Sequence, residues 1–293
     1  ACPQNVGRNP NTTAVTTPLS LASPTADHFI YLPLINRPPE LIVTNNLPLD
    51  SATYLGNSAA DSTTAVDIAL DGSVILAGIM PSYNPGGVTP TELLGGGDGV
   101  LVRLDEFGAT VLSVTRIGAQ LNDMEINSAG DVVVCGDFGV AVLTPTADSL
   151  QWNADPGSVG RCTIGTDGTV AALVSGDVYT YNDSGTEIAT WAVSGSAKTD
   201  IALDGTNQLV IVSGWNQVGG NLQLPFIRAW SYDGTLDWVS YDFSSAPNLG
   251  ADTRGERVAI GRDGYLYFSG SINGGTGVSV FSRDPKDINT QLG

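Results

Sequence analysis

Apolar and polar residues alternate along Val66, Ile68 and Leu70, run into Asp71-Gly72, and give way to a second apolar run, Val74 to Ala77, that ends on Gly78. Strict alternation over this length predicts a half-buried strand, and Asp-Gly between two such runs is a strong hairpin signal. The same phrase returns four times, with the hairpin glycines at Gly72, Gly130, Gly168, Gly205 and Gly264. Six residues before the glycine stand Val66, Met124, Cys162 and Val258, and four before it stand Ile68, Ile126, Ile164 and Ile260. The repeat around Gly205 matches through Ile201 and Leu203 but carries a longer turn, Asp204 to Asn207. Each hairpin predicts a second strand: Val74–Ala77, Val132–Cys135, Val170–Val174, Leu209–Val212 and Tyr265–Ser269.

A third strand follows in each repeat (99–104, 139–143, 178–181, 226–232 and 278–281), and usually a fourth, three of which carry Trp152, Trp191 and Trp238. Four strands per period of about 40 residues is the pattern of a β-propeller blade. The expectation is an all-β propeller of five four-stranded blades. The fifth repeat lacks a fourth strand, and a spare strand within Leu41–Gly56 is expected to complete it and close the ring. A piece of a six- or seven-bladed ring is the competing architecture. Two repeats are lengthened after the second strand, by Ile79–Gly97 and by Asn216–Leu224. Insertions of this kind map to one face of a repeat fold and are expected to form a binding rim.

Thr53-Tyr54-Leu55-Gly56, then Val66-Asp67-Ile68-Ala69, Gly72 to Gly78 and Gly97-Asp98-Gly99-Val100-Leu101-Val102 resemble the bacterial β-propeller repeat family. Later repeats, as in Tyr232-Asp233-Gly234-Thr235-Leu236-Asp237-Trp238, are similar to the tryptophan-bearing quinoprotein-like repeat. The resemblance covers about residues 50 to 285. It implies the fold and a secreted setting, and it carries over no catalytic residue.

Residues 1–39 differ from the rest and are expected to form an extended arm ahead of a propeller domain at 40–293. Asn5 to Ala26 is rich in Asn, Thr, Ser and Pro, a composition that cannot bury enough apolar surface to fold alone. Within the arm lies a strand-length apolar burst at 28–36 carrying Phe29, Ile30, Tyr31, Leu32, Leu34 and Ile35, followed by Arg37-Pro38-Pro39. Two roles compete for it: packing on its own domain, or docking on a neighbouring copy and so building a filament.

Composition narrows the chemistry. The 293 residues include 36 glycines and only 14% charged residues, below the roughly 25% of an average domain. Of the 30 acidic residues 24 are Asp, a turn residue, and lysine occurs only at Lys198 and Lys286, so the bias is against helix. A net charge of −18 argues against nucleic acid, which needs a basic patch. It leaves solubility or Ca²⁺ binding through clustered Asp as its uses. The hairpin aspartates Asp71, Asp131, Asp167, Asp204 and Asp263 are the Ca²⁺ candidates, although turn geometry explains them without metal.

The single histidine, His28, lies in the arm, which leaves no base for nucleophilic triads. No apolar run is long enough to span a membrane. Ala1-Cys2-Pro3-Gln4 reads as the start of a processed, secreted chain, with Cys2 lipidated, paired between chains or free. Cys135 ends a second strand and Cys162 lies in the first strand of the next repeat, so the two are disulfide candidates.

No catalytic, metal or cofactor residue is assigned from these patterns. The expectation is a non-catalytic extracellular structural or adhesive protein that self-associates through its arm. The alternative is a carbohydrate-binding or carbohydrate-active propeller that uses the two insertions, with Trp215 stacking on sugar.

Overall fold

The structure, a computed structural model, describes residues 61–217, 223–242, 253–261, 264–272 and 275–280. Among them there is no helix and there are five sheets, antiparallel except for one strand pair in the first. The first holds β1 (Ser62–Ile68), β2 (Val74–Ile79), β3 (Thr91–Leu93), β4 (Gly99–Leu104) and β5 (Val111–Ile117). The second is β6 (Leu121–Ile126), β7 (Val132–Gly136), β8 (Gly139–Leu143) and β9 (Leu150–Ala154), and the third β10 (Arg161–Ile164), β11 (Val170–Val174), β12 (Asp177–Tyr181) and β13 (Glu187–Ala192). The fourth is β14 (Ala197–Asp204), β15 (Leu209–Gln217), β16 (Gln223–Ser231) and β17 (Leu236–Asp242), and the fifth β18 (Thr253–Ile260), β19 (Leu266–Ile272) and β20 (Gly275–Val280). Strands follow sequence order within each sheet, except that β3 returns to the outer edge of the first.

Burial explains the sequence pattern. Middle strands such as β7, β8 and β11 are buried along their whole length and read as unbroken Val and Ala runs. Outer strands such as β9 and β13 are largely exposed and mix polar with apolar residues. Continuous apolar strands belong in sheets covered on both faces, and here the sheets stack on one another. Ile75 and Leu101 meet Met124 and Val134 between the first and second sheets. Val133 and Val142 meet Val170 and Ala172 between the second and third. Leu173 and Val178 meet Ile201 and Val210 next, and Ile211 and Ile227 meet Leu266 and Phe268 last.

Cys135 and Cys162 are joined by a disulfide across the second of these interfaces, with Cα atoms 6.2 Å apart. Two strand tryptophans pack in the second and third of these interfaces. Trp152 lies 5.8 Å from the Tyr181 ring and Trp191 lies 6.1 Å from the Trp230 ring.

Several expectations are corrected. Residues 79–97 pack in part on the first sheet: Met80 and Tyr83 are buried with Val100, Val102 and Leu104 on its outer face, and β3 pairs in parallel with β5 as a fifth strand. The lengthening at 216–224 is a longer hairpin, with β15 and β16 paired as far as Asn216 opposite Leu224 and Gln217 opposite Gln223. Gly72 takes the left-handed conformation its turn requires (φ +86°), whereas in the fourth repeat Gln208 takes that role (φ +54°) and Gly205 does not. The fifth sheet has three strands among the described residues. The arm, its apolar burst, Cys2, His28, Asp263 and the closing strand expected within Leu41–Gly56 lie outside the described residues.

Candidate functional site

The first strands of all five sheets line one cavity of about 440 Å³, with Val66, Glu125, Cys162, Asp200 and Val258 among its walls. Register explains what reaches it. In four sheets the first strand carries a one-residue bulge, between Thr63 and Ala65, Leu121 and Asp123, Lys198 and Asp200, and Gly255 and Arg257. The residue after the bulge is Ala65, Asp123, Asp200 or Arg257, and Arg161 holds the matching place opposite Leu173. Neighbouring sheets thus present Asp123, Arg161, Asp200 and Arg257 in one layer, alternating in sign.

The layer is knitted together. Arg161 lies 3.8 Å from Asp123 and 3.8 Å from Asp200, and Arg257 lies 3.5 Å from Asp200. Carboxylates also cross from sheet to sheet to accept backbone hydrogen bonds. Ile126 N–H donates to Asp67 at 3.0 Å, Cys162 N–H to Asp123 at 3.4 Å and Val258 N–H to Asp200 at 3.0 Å. A bulge bends its strand and re-aims a side chain, and here it turns an acid toward the next first strand. Two residues further along lie Asp67, Glu125 and Thr163, where the Thr163 hydroxyl bonds the Glu125 carboxyl.

Burial sets the protonation of these acids. It pushes Glu125 up to about 8, with Asp123, Asp67 and Asp200 adding repulsion against the Thr163 bond. It pushes Asp123 up to about 6 despite Arg161, and raises Asp200 against the Val258 hydrogen bond and the pull of Arg257 and Arg161. A protonated Glu125 in the folded chain faces an unfolded value of 4.5. Between these two pH values the unfolded chain has released a proton that the folded chain keeps. Stability therefore falls as pH rises through this window, by up to about 1.4 kcal/mol per pH unit for one proton. We expect the melting temperature to fall from pH 5 to pH 8. Glu125→Gln should melt higher than the natural chain at pH 8 and flatten the upper part of the slope. An unchanged slope in Glu125→Gln would show that the carboxyl is ionised in the folded chain.

The other candidates are placed as follows. Asp71, Asp167 and Asp204 accept hydrogen bonds from backbone N–H groups of their own turns, those of Ser73, Thr169 and Thr206. Asp71 also pairs with Arg103, and the Ser73 hydrogen bonds, helped by Arg103, hold its carboxyl below the usual range. In the second repeat Asn127 accepts from Ala129 N–H and Asp131 N–H, and Asp131 accepts from Gln151. Among the described residues no group of three or more His, Cys, Asp or Glu is arranged to hold a metal ion. Trp215 is half-buried, with the Arg254 guanidinium 5.6 Å from its ring centroid. A second hollow of about 680 Å³ opens at Asn122, Ser158, Ser175 and Thr199, beside Arg161 and Lys198.

The inter-sheet layer is absent from a reading of the sequence by apolar periodicity. Its signal was the residue seven before the hairpin glycine (Ala65, Asp123, Arg161 and Arg257), one step from the apolar position used to align the repeats. No protein-family model matches the chain, and no curated protein matches it. No helix among the described residues is long and apolar enough to cross a membrane.

Proposed function

We propose that the chain is a non-catalytic β-propeller of the bacterial repeat type, serving outside the cell as a structural or adhesive scaffold that assembles through its N-terminal arm. The observation that carries this is the use made of the cavity's charges. Asp123, Arg161, Asp200 and Arg257 bind one another, and Asp67, Asp123 and Asp200 accept backbone hydrogen bonds from the next sheet. Groups so occupied hold strands together and offer substrate no positioned nucleophile or base. One cavity lined by all five first strands supports the circular arrangement, and the Cys135–Cys162 disulfide supports an oxidising, extracellular setting. Self-assembly is supported by the arm: its six large apolar residues would each gain roughly 1.5–3 kcal/mol on full burial. A head-to-tail contact that does not close gives an open filament.

The carbohydrate reading is favoured by one feature, the hollow lined by the Asn122 amide and the hydroxyls of Ser158, Ser175, Ser196 and Thr199. Electron microscopy of the intact chain beside a full-length Leu32→Asp/Leu34→Asp variant tests assembly. Filaments are expected from the first and monomers from the second. A stable monomer from the intact chain, or filaments from both, overturns arm-driven assembly. Release of reducing sugar from a polysaccharide panel overturns the non-catalytic assignment.

A further inference from the structure

The hollow of about 680 Å³ runs against the charge of the chain that holds it. The sequence carries 30 acidic residues against 12 Lys and Arg, yet no Asp or Glu lines this hollow, whereas Arg161 and Lys198 both do. Asp123 and Asp200, the acids paired with Arg161, line the neighbouring cavity instead. The volume falls within the roughly 300–1,000 Å³ of small-molecule sites.

The third sheet creates the space. In the other four sheets the first strand starts before a bulge, but in the third it begins only at Arg161. Just ahead of it, Val159 N–H donates to Gly136 O of the second sheet at 2.9 Å and Gly160 N–H to Leu173 O at 3.0 Å. The chain therefore leaves toward the second sheet where a longer first strand would otherwise lie. Lys198, from the first strand of the fourth sheet, reaches across to the β11–β12 turn. Gly176 makes room for it there, since a Cβ on that residue would lie 2.8 Å from Lys198 Nζ.

Both cations keep donors for a ligand. Lys198 Nζ donates to Gly195 O at 3.1 Å, and among the described residues it pairs with no carboxylate. An ammonium carries three donors, so the others remain available. Arg161 donates through Nε to Thr199 O at 3.3 Å. Its contacts with Asp123 and Asp200 are 3.8 Å long, beyond hydrogen-bond length, which leaves its Nη hydrogens able to donate. The lining residues Ser158 and Ser175 are exposed, and each hydroxyl can both donate and accept.

We infer that the hollow binds one acidic sugar, a monosaccharide unit bearing a single carboxylate, with Lys198 and Arg161 on the carboxylate and the serine hydroxyls on the ring hydroxyls. The inference rests on the carbohydrate reading of this hollow given above and names the sugar; it requires binding alone and no bond cleavage. A neutral sugar would leave the Lys198 ammonium without a counter-charge. A polyanion is disfavoured, because beyond the hollow the chain's net charge of −18 repels it. A lone carboxylate at the end or branch of a glycan meets both limits.

The test is titration calorimetry on the full-length chain with glucuronate and N-acetylneuraminate, and with glucose and acetate as controls. At least one acidic sugar should bind tenfold or more tightly than either control, and less tightly as salt rises. Lys198→Met should weaken that binding tenfold or more. Ser158→Asp should do the same by placing a negative charge at an exposed lining position, where it asks nothing of the packing. Unchanged melting temperatures check that both variants fold. Equal binding by the natural chain and both variants overturns the hollow as the site. Acetate bound as tightly as the acidic sugars overturns the sugar assignment. Glucose bound as tightly overturns the carboxylate assignment and leaves the carbohydrate reading standing. No binding of any of these sugars overturns the inference, and the carbohydrate reading falls with it if a panel of neutral polysaccharides is also unbound.

Discussion

Replacing Cys135 and Cys162 together by alanine should cost about 3–4 kcal/mol of stability. The bond closes a sequence separation of 27 residues, and the chain-entropy relation assigns about 3 kcal/mol to a 15-residue loop and about 4.7 kcal/mol to a 100-residue loop. The bond also sits where its loss is felt. Cys135 is fully buried and Cys162 nearly so, both inside the apolar interface of the second and third sheets. Alanine avoids leaving a hydroxyl without a partner there, so the measured loss reports the cross-link and a small cavity. For a domain of this size the melting temperature should drop by roughly 10 °C. The natural chain should show a comparable drop on prolonged reduction, approached slowly because the sulfurs are buried. Equal melting temperatures for the natural and alanine chains would show that the two sulfurs are not bonded in solution.

What could be read from the sequence follows from what each residue has to do locally. The hairpin glycines and the Val-rich second and third strands state their own conformation, because a left-handed turn position and a strand covered on both faces leave few alternatives. Aligning the repeats on those glycines also put Cys135 and Cys162 on neighbouring sheets, where they are bonded. The fate of residues 79–97 could not be read this way. Met80 and Tyr83 stand among Pro, Ser, Asn and Gly, and only the bare face of the first sheet makes them core. The charged layer escaped for a different reason. Asp123, Arg161 and Arg257 each look like the polar partner in an alternating strand, and bulges beside Asp123 and Arg257 bring those two into one layer with Arg161, whose own strand pairs without a shift. The fourth turn misled because Gly205 aligns by sequence while the longer loop moves the left-handed position to Gln208.

Gly136→Ala and Gly214→Ala should each destabilise the fold by about 1–3 kcal/mol, although neither glycine has a left-handed backbone. The cause is room. Gly78, Gly136, Gly214 and Gly270 stand opposite the residue just before each first-strand bulge. A Cβ at these positions would lie 2.2 Å from Ser62 O, 1.9 Å from Gln120 O, 2.1 Å from Ala197 O and 2.4 Å from Arg254 O respectively. Those oxygens are backbone, so the bulged strand itself must move, and with it the acid that the bulge aims at the next sheet. At Gly214 the Phe226 ring is a second obstacle, 2.7 Å away. The third sheet shows the converse. Its first strand begins only at Arg161, opposite Leu173, and the position matching these glycines is Val174, which packs with Val159 and Val170. Forcing extra atoms into a packed site costs roughly 1–3 kcal/mol, and the entropy gained by removing a glycine returns only about 0.4–1 kcal/mol. Gly86→Ala supplies the control, since nothing lies within 4 Å of its added Cβ and its φ is not left-handed. That variant should match or slightly exceed the natural chain in a denaturant titration, while Gly136→Ala and Gly214→Ala unfold at clearly lower concentration with the same slope. Equal midpoints for all three variants would mean that the bulged strands have slack, and that the close approach of glycine to carbonyl does not set the register of the charged layer.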